Sequence, residues 1–229
     1  MIEPLSARVE GIEPLGGLSL VRLALDPRTA LGEPGQFHMV LGGAYLPRPI
    51  GLIELGDGVG FVVGDPSDVA GPELQVLGPL GRGFDLSAID PERTLLVGAG
   101  FGLTTMPGIG RRHPGLRLIA GIRQADHADL ATLVPGVTCI ATCVAPDLVT
   151  EPLEAALGDV DLVLAAGPAP MGRAVAEICA RHGVRSQIAL EAPMACGFGA
   201  CFGCAVELDG TWQRCCIEGP VVDGARLVA

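Results

Sequence analysis

Cysteine spacing is the feature that most constrains how this 229-residue chain can fold. Five of its eight cysteines lie between residues 196 and 216, and they include the run Cys196-x4-Cys201-x2-Cys204, followed after eleven residues by Cys216. A C-x4-C-x2-C run with a distant fourth cysteine is typical of plant-type [2Fe–2S] clusters, in which four thiolates hold two irons. We therefore predict that Cys196, Cys201, Cys204 and Cys216 hold a [2Fe–2S] cluster.

The residues between these cysteines also favour a cluster. Gly197, Gly199, Ala200 and Gly203 stand where larger side chains would keep the backbone away from an iron–sulfur unit. The main alternative is a zinc site, which usually takes its ligands from two separate C-x2-4-C pairs. Here three ligands share one glycine-rich loop, so a cluster is the better interpretation.

The remaining cysteines leave one choice open. Cys215 competes with Cys216 as the fourth ligand, and only one of them should face the cluster, because adjacent side chains of an extended segment point in opposite directions. The other three stand in apolar surroundings and are expected to be buried in the core: Cys139, Cys143 and Cys179.

Composition and charge disfavour several classes of function. Hydrophobic residues make up 49% of the chain and the mean hydropathy is +0.47. No uncharged apolar run reaches the roughly 18 residues of a membrane-spanning helix, and residues 1–4 lack the basic and apolar regions of a signal peptide. The net charge of -11 and pI near 4.7 disfavour binding to nucleic acid. We expect a soluble cytoplasmic protein that binds neither membrane nor nucleic acid.

The pattern of the chain changes near residue 90. Before it, short β-prone segments alternate with Gly and Pro turns, which predicts an antiparallel barrel or sandwich. Between residues 91 and 190, apolar strands alternate with helical segments, which predicts a parallel sheet covered on both faces. Residues 191–229 break that rhythm and carry the cysteine cluster. The predicted fold class is a β-barrel plus α/β, with units at 1–90, 91–190 and 191–229.

Two turns stand where a parallel sheet binds nucleotides. Gly98, Gly100 and Gly102 follow an apolar strand and precede a predicted helix, where glycines let phosphates approach the backbone and the helix N-terminus favours anions. Their G-x-G-x-G spacing is not the dinucleotide fingerprint G-x-G-x-x-G, so a tight turn without a ligand is an equal alternative. Gly167 and Pro168 end a later strand, at the edge where open α/β sheets bind ligands, although a proline also simply marks a helix start.

Several segments together resemble one family. Residues 194–204 (MACGFGACFGC) are similar to the cluster loop of dihydroorotate dehydrogenase B electron-transfer subunits. Residues 216–221 (CIEGPV) resemble the segment with that family's fourth ligand, which favours Cys216 over Cys215. Weaker matches to the family's flavin barrel and pyridine-nucleotide domain follow in the family's order: residues 34–37 (PGQF), 48–50 (RPI), 77–84 (LGPLGRGF), 97–102 (VGAGFG) and 167–171 (GPAPM).

The resemblance implies a ferredoxin-reductase-like electron-transfer protein. Its N-terminal barrel would bind FAD, its α/β domain would bind NAD(H), and its last segment would hold the [2Fe–2S] cluster. The family partners a flavin-containing catalytic subunit, two copies of each, that oxidises dihydroorotate to orotate in pyrimidine biosynthesis. Electrons would pass from that subunit to the cluster, then to FAD and finally to NAD⁺.

The resemblance also implies which residues bind these cofactors. Arg48 would face the FAD phosphates or ribityl chain, which suits its bidentate donor geometry, although an exposed arginine at a sheet edge is the alternative. The glycines of the first turn would admit NAD, and the second turn would lie near the nicotinamide. The cofactor-binding residues are Arg48, Pro49, Ile50, Gly51, Val62, Val63, Gly64, Gly98, Gly100, Gly102, Gly167 and Pro168.

Three departures from the family pattern bear on the cofactors. Gly51 stands where the family usually has Ser, so a hydroxyl near the flavin is missing. Residues 64–68 (GDPSD) replace a Gly-x-Gly-Thr phosphate turn, and their two carboxylates would repel a pyrophosphate. Ala166 stands where the family often has Cys.

Two other functions stay open at this point. One is an electron-transfer subunit of another NAD(P)-linked oxidoreductase, such as a sulfhydrogenase or a ferredoxin–NADP transhydrogenase, and the other is a non-redox scaffold that keeps a metal site. No acid–base catalytic site is predicted, since the four histidines show no catalytic spacing. Phe198 and Phe202 in the cluster loop either form a docking patch for the partner or pack inward.

Overall fold

The computed structural model describes residues 3–42, 45–56, 58–69 and 71–228. Residues 1 and 2 of the N-terminus considered above fall outside these ranges, as does the side chain of Asp68 in the acidic turn. Within the described ranges, no helix is long and apolar enough to cross a lipid bilayer.

The N-terminal part of the described chain folds into one antiparallel sheet of seven strands. Its elements are β1 (Leu5–Leu15), β2 (Leu18–Leu23), α1 (Pro27–Ala30), β3 (Phe37–Leu41), β4 (Arg48–Ile50), β5 (Ile53–Leu55), β6 (Gly58–Val63) and β7 (Glu73–Leu80). The strand order is β4-β3-β7-β1-β2-β6-β5, and a 3₁₀ turn, Pro66–Asp68, follows β6. The antiparallel architecture predicted for this part is confirmed.

The predicted closure of this sheet into a barrel is not confirmed. The two edge strands, β4 and β5, form no ladder with each other among the described residues. Both are only three residues long, and Pro49 in β4 lacks the N–H group that a second ladder would need. The sheet therefore stays open between its two edge strands, β4 and β5.

Alternation along β6 explains how the sheet contributes to two cores. Val59, Phe61 and Val63 lie in the core of the N-terminal sheet. Val62 points to the opposite face and belongs to a core shared with the second sheet. The end of β6 is thus held at the junction between the two sheets.

The second part of the chain forms a six-stranded sheet and a separate hairpin. The strands are β8 (Thr94–Ala99), β9 (Arg117–Ile122), β10 (Thr138–Val144), β11 (Leu162–Pro168), β12 (Arg185–Glu191), β13 (Ala205–Leu208), β14 (Thr211–Arg214) and β15 (Val221–Asp223). The helices are α2 (Pro107–Arg112), α3 (Asp129–Thr132), α4 (Thr150–Ala156), α5 (Ala169–Arg181) and α6 (Cys215–Glu218). β13 and β14 form the hairpin.

The order of the second sheet is β10-β9-β8-β11-β12-β15, and the first five of these strands are parallel. Helices cover both faces, since Ile109 of α2 and Leu130 of α3 pack in one core while Leu153 of α4 and Val175 of α5 pack in the other. The predicted parallel arrangement is confirmed. The strand order reverses between β8 and β11, which creates the switch point where open α/β sheets bind ligands.

The second sheet differs from expectation at its two edges. At one edge, β15 comes from the cysteine-rich C-terminal segment and pairs antiparallel with β12. At the other edge, β10 has an irregularity between Cys139 and Ala141. Cys139 is exposed there, so the expectation that it is buried was wrong, whereas Cys143 and Cys179 are buried as expected.

His38 of β3 is a buried polar side chain next to α1. It is 3% exposed, and its Nε2 lies 2.7 Å from the carbonyl oxygen of Ala30, to which it donates. Its Nδ1 has no hydrogen-bond partner within the described part of the chain. Burial lowers the pKa of His38 to about 4, although the bond to Ala30 opposes that change.

We expect His38 to make the protein less stable in acid. In the unfolded chain it takes up a proton below about pH 6.5, whereas the folded protein keeps it neutral down to about pH 4. Stability is therefore lost as the pH falls between those values, by about 3 kcal/mol. Urea unfolding of the wild type and His38→Gln at pH 7 and pH 4 measures this difference. Equal losses in the two proteins would contradict it.

Candidate functional site

Three of the predicted cluster ligands, Cys196, Cys201 and Cys204, lie in a loop between β12 and β13 that packs against β3 and α6, and the fourth, Cys216, lies in α6 itself. Gly197 and Gly199 have positive φ angles of 76° and 85°, which glycine adopts without steric cost. An added Cβ at Gly197 would lie 2.3 Å from Met39 Cγ of β3, and one at Gly199 would lie 2.8 Å from Ile217 Cγ1 of α6. These glycines are therefore required by packing as well as by the turn.

Four cysteines of this region form two adjacent pairs. In the outer pair, which is not fully buried, the thiols of Cys196 and Cys201 are hydrogen-bonded to each other. In the buried inner pair, the thiols of Cys204 and Cys216 are hydrogen-bonded, and the backbone N–H of Cys216 also donates to Cys204 Sγ at 3.5 Å. Cys196 interacts electrostatically with Cys216, so the structure brings together the four cysteines that the spacing singled out.

Cys196 of the outer pair and Cys216 of the inner pair differ in how readily they ionise. Burial raises the pKa of the Cys196 thiol, but hydrogen bonds from the backbone N–H groups of Cys201 and Phe198 bring it down to about 6. Burial, together with the Cys204 thiol, raises the pKa of Cys216 to about 12. A bound metal ion deprotonates coordinating thiols. Cys216 therefore needs a bound metal to become a thiolate.

This arrangement fits a binuclear cluster better than a single metal ion. In the described ranges, no three His, Cys, Asp or Glu side chains are grouped as the ligands of one metal ion would be. A tetrahedral zinc site needs four ligands within about 2.3 Å of one metal. A [2Fe–2S] cluster takes two thiolates on each of two irons, and two adjacent thiol pairs match that requirement.

Cys215 is directed away from these pairs. Its Sγ donates to the carbonyl oxygen of Leu190 at 3.7 Å, and burial raises its pKa to about 12. The expectation of an extended segment here was wrong, because Cys215 and Cys216 lie in the one-turn helix α6, where successive side chains are rotated by about 100°. That rotation sends Cys215 into the core and leaves Cys216 beside Cys204.

A cleft of about 510 Å³ lies between the two sheets, at the C-terminal ends of β8, β11 and β12. It coincides with the switch point of the second sheet, and its volume suits a small-molecule or cofactor site. Its lining residues are Gly35, Gln36, Phe37, Arg48, Pro49, Ile50, Gly51, Val62, Val63, Gly64, Phe101, Gly102, Thr104, Thr105, Ala166, Gly167, Ala189, Leu190, Glu191, Ala192, Met194 and Pro220.

Most residues predicted to bind cofactors line this cleft, but three do not. Gly98 is buried in β8, where an added Cβ would lie 2.5 Å from Leu103 Cδ2, so its small size serves packing. Gly100 has a φ of 53° and opens a 3₁₀ segment; the helix predicted directly after this turn begins only at Pro107. Pro168 is exposed at the end of β11.

Sequence reasoning missed several lining residues. Within the described lining, Arg48 and Glu191 are the only charged side chains. Glu191 is an exposed residue at the end of β12, but partial desolvation of its carboxyl group in the cleft raises its pKa, although the carboxylate accepts a hydrogen bond from the backbone N–H of Gly102. Glu191 could have been predicted from the sequence, because it is the last residue of a buried strand and such strand ends form the ligand-binding edge of an open α/β sheet. Thr104 and Thr105 carry no such signal.

The lining fits the ring of a flavin better than its pyrophosphate. A Cβ added at Gly64 meets nothing within 4 Å, so the wall is open there. Beside it, the carboxylate of Asp65 accepts the backbone N–H of Ser67 at 2.8 Å, and its hydrogen bonds with Ser67 hold the pKa of Asp65 below its usual value. The N–H group of Ser67 is therefore not available to bind a pyrophosphate, and the Asp65 carboxylate adds a negative charge next to Gly64 that would repel one.

The two packed sheets, with a cleft at the switch point, define a ferredoxin-reductase-like fold. The chain is similar to the NADH-dependent reduced ferredoxin-NADP oxidoreductase, whose structure gave insights into flavin-based electron bifurcation. The TM-score is 0.77, the alignment covers 96% of this chain and 88% of that one, and 20% of the residues are identical. At this identity the likeness shows the fold alone.

Sequence similarity is more specific. Residues 191–228 match the family model of the iron-sulfur cluster binding domain of dihydroorotate dehydrogenase B. The chain is 32% identical to the dihydroorotate dehydrogenase B (NAD(+)) electron transfer subunit of Clostridium perfringens, over 84% of this chain and 86% of that one. It is 29% identical to the subunit of the same name from Caldanaerobacter subterraneus, over 82% and 84%. The chain belongs to the family of dihydroorotate dehydrogenase B electron-transfer subunits, and the resemblance found in its sequence is confirmed.

Proposed function

We propose that this protein passes electrons between a flavin-containing dihydroorotate dehydrogenase catalytic subunit and NAD, through a [2Fe–2S] cluster and FAD. The supporting observation is a segment shared by the two sites. Glu191, Ala192 and Met194 line the cleft, and Cys196 follows only two residues later. Because consecutive Cα atoms are 3.8 Å apart, Met194 and Cys196 are within about 8 Å of each other. The thiol pairs and the cleft therefore adjoin.

Each site would hold one type of cofactor. The [2Fe–2S] ligands are Cys196, Cys201, Cys204 and Cys216. The FAD residues are Arg48, Pro49, Ile50, Gly51, Val62, Val63 and Gly64. The turns with Gly98, Gly100, Gly102, Gly167 and Pro168 would admit NAD, although only Gly102 and Gly167 among them line the cleft.

The chain's own residues would bind the cofactors and tune them. A bound flavin supplies the exchange between single electrons and a hydride, which a cluster and a nicotinamide cannot make directly. The loop directs backbone N–H groups at the sulfurs, as where Gly203 donates to Cys201 Sγ at 3.4 Å, and such bonds adjust the reduction potential of a cluster. The apolar walls of the cleft would keep water away from the hydride.

The chain would divide into an FAD unit (1–90), an NAD unit (91–190) and a cluster unit (191–229). The first sheet ends at Leu80 and the second begins at Thr94, which supports the first boundary. The first sheet would act as an open flavin-binding barrel: its edge strands β4 and β5 do not pair within the described chain, and Gly51 between them lines the cleft. We place the protein in the cytoplasm, where its eight free cysteines stay reduced.

An exposed aromatic surface beside the cluster loop would receive the catalytic subunit. Phe198 and Phe202 are 58% and 59% exposed, and Trp212 of β14 is 71% exposed; these three residues form what we call the docking patch. Arg214 connects Phe202 to Trp212. Its guanidinium stacks on the Phe202 ring, 5.1 Å from the ring centre, and Arg214 follows Trp212 by two residues in β14. Exposed aromatic side chains are typical anchors of protein interfaces. The complex would hold two copies of each subunit.

Anaerobic reconstitution tests the cofactor part of this proposal. We expect about two irons, two sulfides and one FAD per chain, with flavin and cluster absorbance that NADH bleaches. Zinc alone, or no uptake of iron and flavin, would contradict the proposal and support a non-redox scaffold.

Reconstitution with the catalytic subunit tests the partner. We expect NADH to form when dihydroorotate and NAD⁺ are added to the complex. A chain that carries both cofactors but stays oxidised in this mixture would belong instead to another NAD(P)-linked oxidoreductase.

A further inference from the structure

Thr104 supplies a hydroxyl group at the wall of the cleft formed by Gly51. Gly51 follows β4 and lines the cleft without a side chain. A Cβ added there would lie 3.2 Å from Thr104 Oγ1, the closest of the surrounding atoms. Thr104 lines the cleft as well and is only 6% exposed. The second sheet's side of the cleft therefore provides the hydroxyl that residue 51 lacks.

The local hydrogen bond of Thr104 leaves its oxygen free to accept another. Thr104 Oγ1 donates to the carbonyl oxygen of Phe101 at 2.8 Å. A hydroxyl has one hydrogen and two lone pairs, so this bond uses its hydrogen. A further bond to a ligand in the cleft must therefore take its hydrogen from the ligand.

Thr105 differs from Thr104 in what it turns toward Gly51. Its Oγ1 donates to the carbonyl oxygen of Gly102, also at 2.8 Å, so the two threonines make the same kind of local bond. Thr105 approaches the added Cβ of Gly51 with its methyl Cγ2, at 3.7 Å. Thr104 and Thr105 are the hydroxyl-bearing residues in the described lining. Only Thr104 turns its hydroxyl oxygen toward Gly51.

We propose that Thr104 is a positioning residue for the flavin ring, whose hydroxyl oxygen accepts a ring N–H and thereby favours the reduced flavin. The inference rests on the proposed function, which places FAD in this cleft beside Gly51. The isoalloxazine ring gains N–H groups on reduction, so a fixed acceptor binds the reduced form better than the oxidised form. The apolar surroundings strengthen that preference, because a hydrogen bond is stronger at low local dielectric.

Flavin midpoint potentials of three variants of the reconstituted chain test this inference. Thr104→Val keeps the shape of the side chain and removes its oxygen, and Thr104→Ser keeps the oxygen. Thr105→Val is the control, because it removes the hydroxyl of the adjacent threonine in the same way. We expect T104V to bind reduced flavin up to about tenfold more weakly, relative to oxidised flavin, because one hydrogen bond is lost. Its midpoint potential should fall, while those of T104S and T105V stay near the wild type. An unchanged potential in T104V, or equal shifts in T104V and T105V, would overturn the inference.

A swap variant separates the hydroxyl from its local structural role. Thr104→Ala vacates the position of the oxygen, and Gly51→Ser builds a hydroxyl toward it from the other side. We expect T104A/G51S to regain the potential lost in T104A, and a flavin-loaded double variant without that gain would count against the inference. Flavin absorbance keeps the two proposals apart: a wild-type chain that binds no flavin contradicts the proposed function as well, whereas a bound flavin with unshifted potentials contradicts only the role of Thr104.

Discussion

Replacement of Cys216 by serine is expected to abolish the [2Fe–2S] cluster, whereas replacement of its neighbour Cys215 is expected to leave the cluster in place. Cys216 pairs with Cys204 on the inner side of the cluster loop, and a plant-type cluster requires all four thiolates. Cys215 instead donates to Leu190 O in the core. Iron and sulfide content and the visible spectrum after anaerobic reconstitution measure the difference.

Cys201→Ser tests the outer pair in the same way. We expect it to lose the cluster as completely as Cys216→Ser does. The flavin content should not change in any of the three variants, because none of these cysteines lines the cleft. Cys215→Ser should unfold more easily, by about 1–3 kcal/mol, since it buries a polar hydroxyl. A full complement of iron in Cys216→Ser, with its loss in Cys215→Ser, would reverse the ligand assignment.

A carboxylate within the docking patch is expected to weaken binding of the catalytic subunit by about 30-fold or more, the effect of losing one interface anchor. Trp212→Glu and Phe198→Glu are the most informative variants. Phe202 is better left intact, because a carboxylate there would gain an ion pair with Arg214, which now stacks on its ring. Titration calorimetry with the purified catalytic subunit measures the affinity.

Leu148→Glu is the matched control for these charged variants. Leu148 is 65% exposed, but it follows β10, at the opposite edge of the second sheet from β12 and the cluster loop. We expect its affinity and the visible spectra of all three variants to equal those of the wild type. Wild-type affinity in Trp212→Glu and Phe198→Glu, or an equal loss in Leu148→Glu, would show that the docking patch is wrong.

The fold could be predicted from the sequence where local patterns determine it. Short segments between Gly and Pro turns predicted the antiparallel sheet, and alternating strands and helices predicted the parallel one. The closed barrel was not found, because closure depends on pairing between two short edge strands, one of which contains Pro49. The return of β15 to the second sheet was also missed, since three residues after a helix carry too little pattern to predict their partner.

The candidate site shows the same division. The thiol pairs were anticipated because their spacing is recognisable within one short segment. Most of the residues predicted to bind cofactors, largely through resemblance to a family, line the cleft, whereas Gly98 turned out to be required by Leu103 rather than exposed to a ligand. Glu191 could have been predicted from its strand end, but Thr104 could not, because its importance lies in its contact with Gly51.

By itself, the sequence determined the chemistry of the C-terminal loop: which cysteines are close together and where glycines allow the chain to turn. These are properties of neighbouring residues, and covalent geometry limits them whatever the rest of the chain does. The resemblance favoured Cys216 over Cys215, but only the tertiary structure places Cys216 against Cys204 and turns the oxygen of Thr104 to Gly51. Both contacts depend on tertiary packing, because Gly51 and Thr104 belong to the parts of the chain that form different sheets, and α6 turns Cys216 rather than Cys215 toward Cys204.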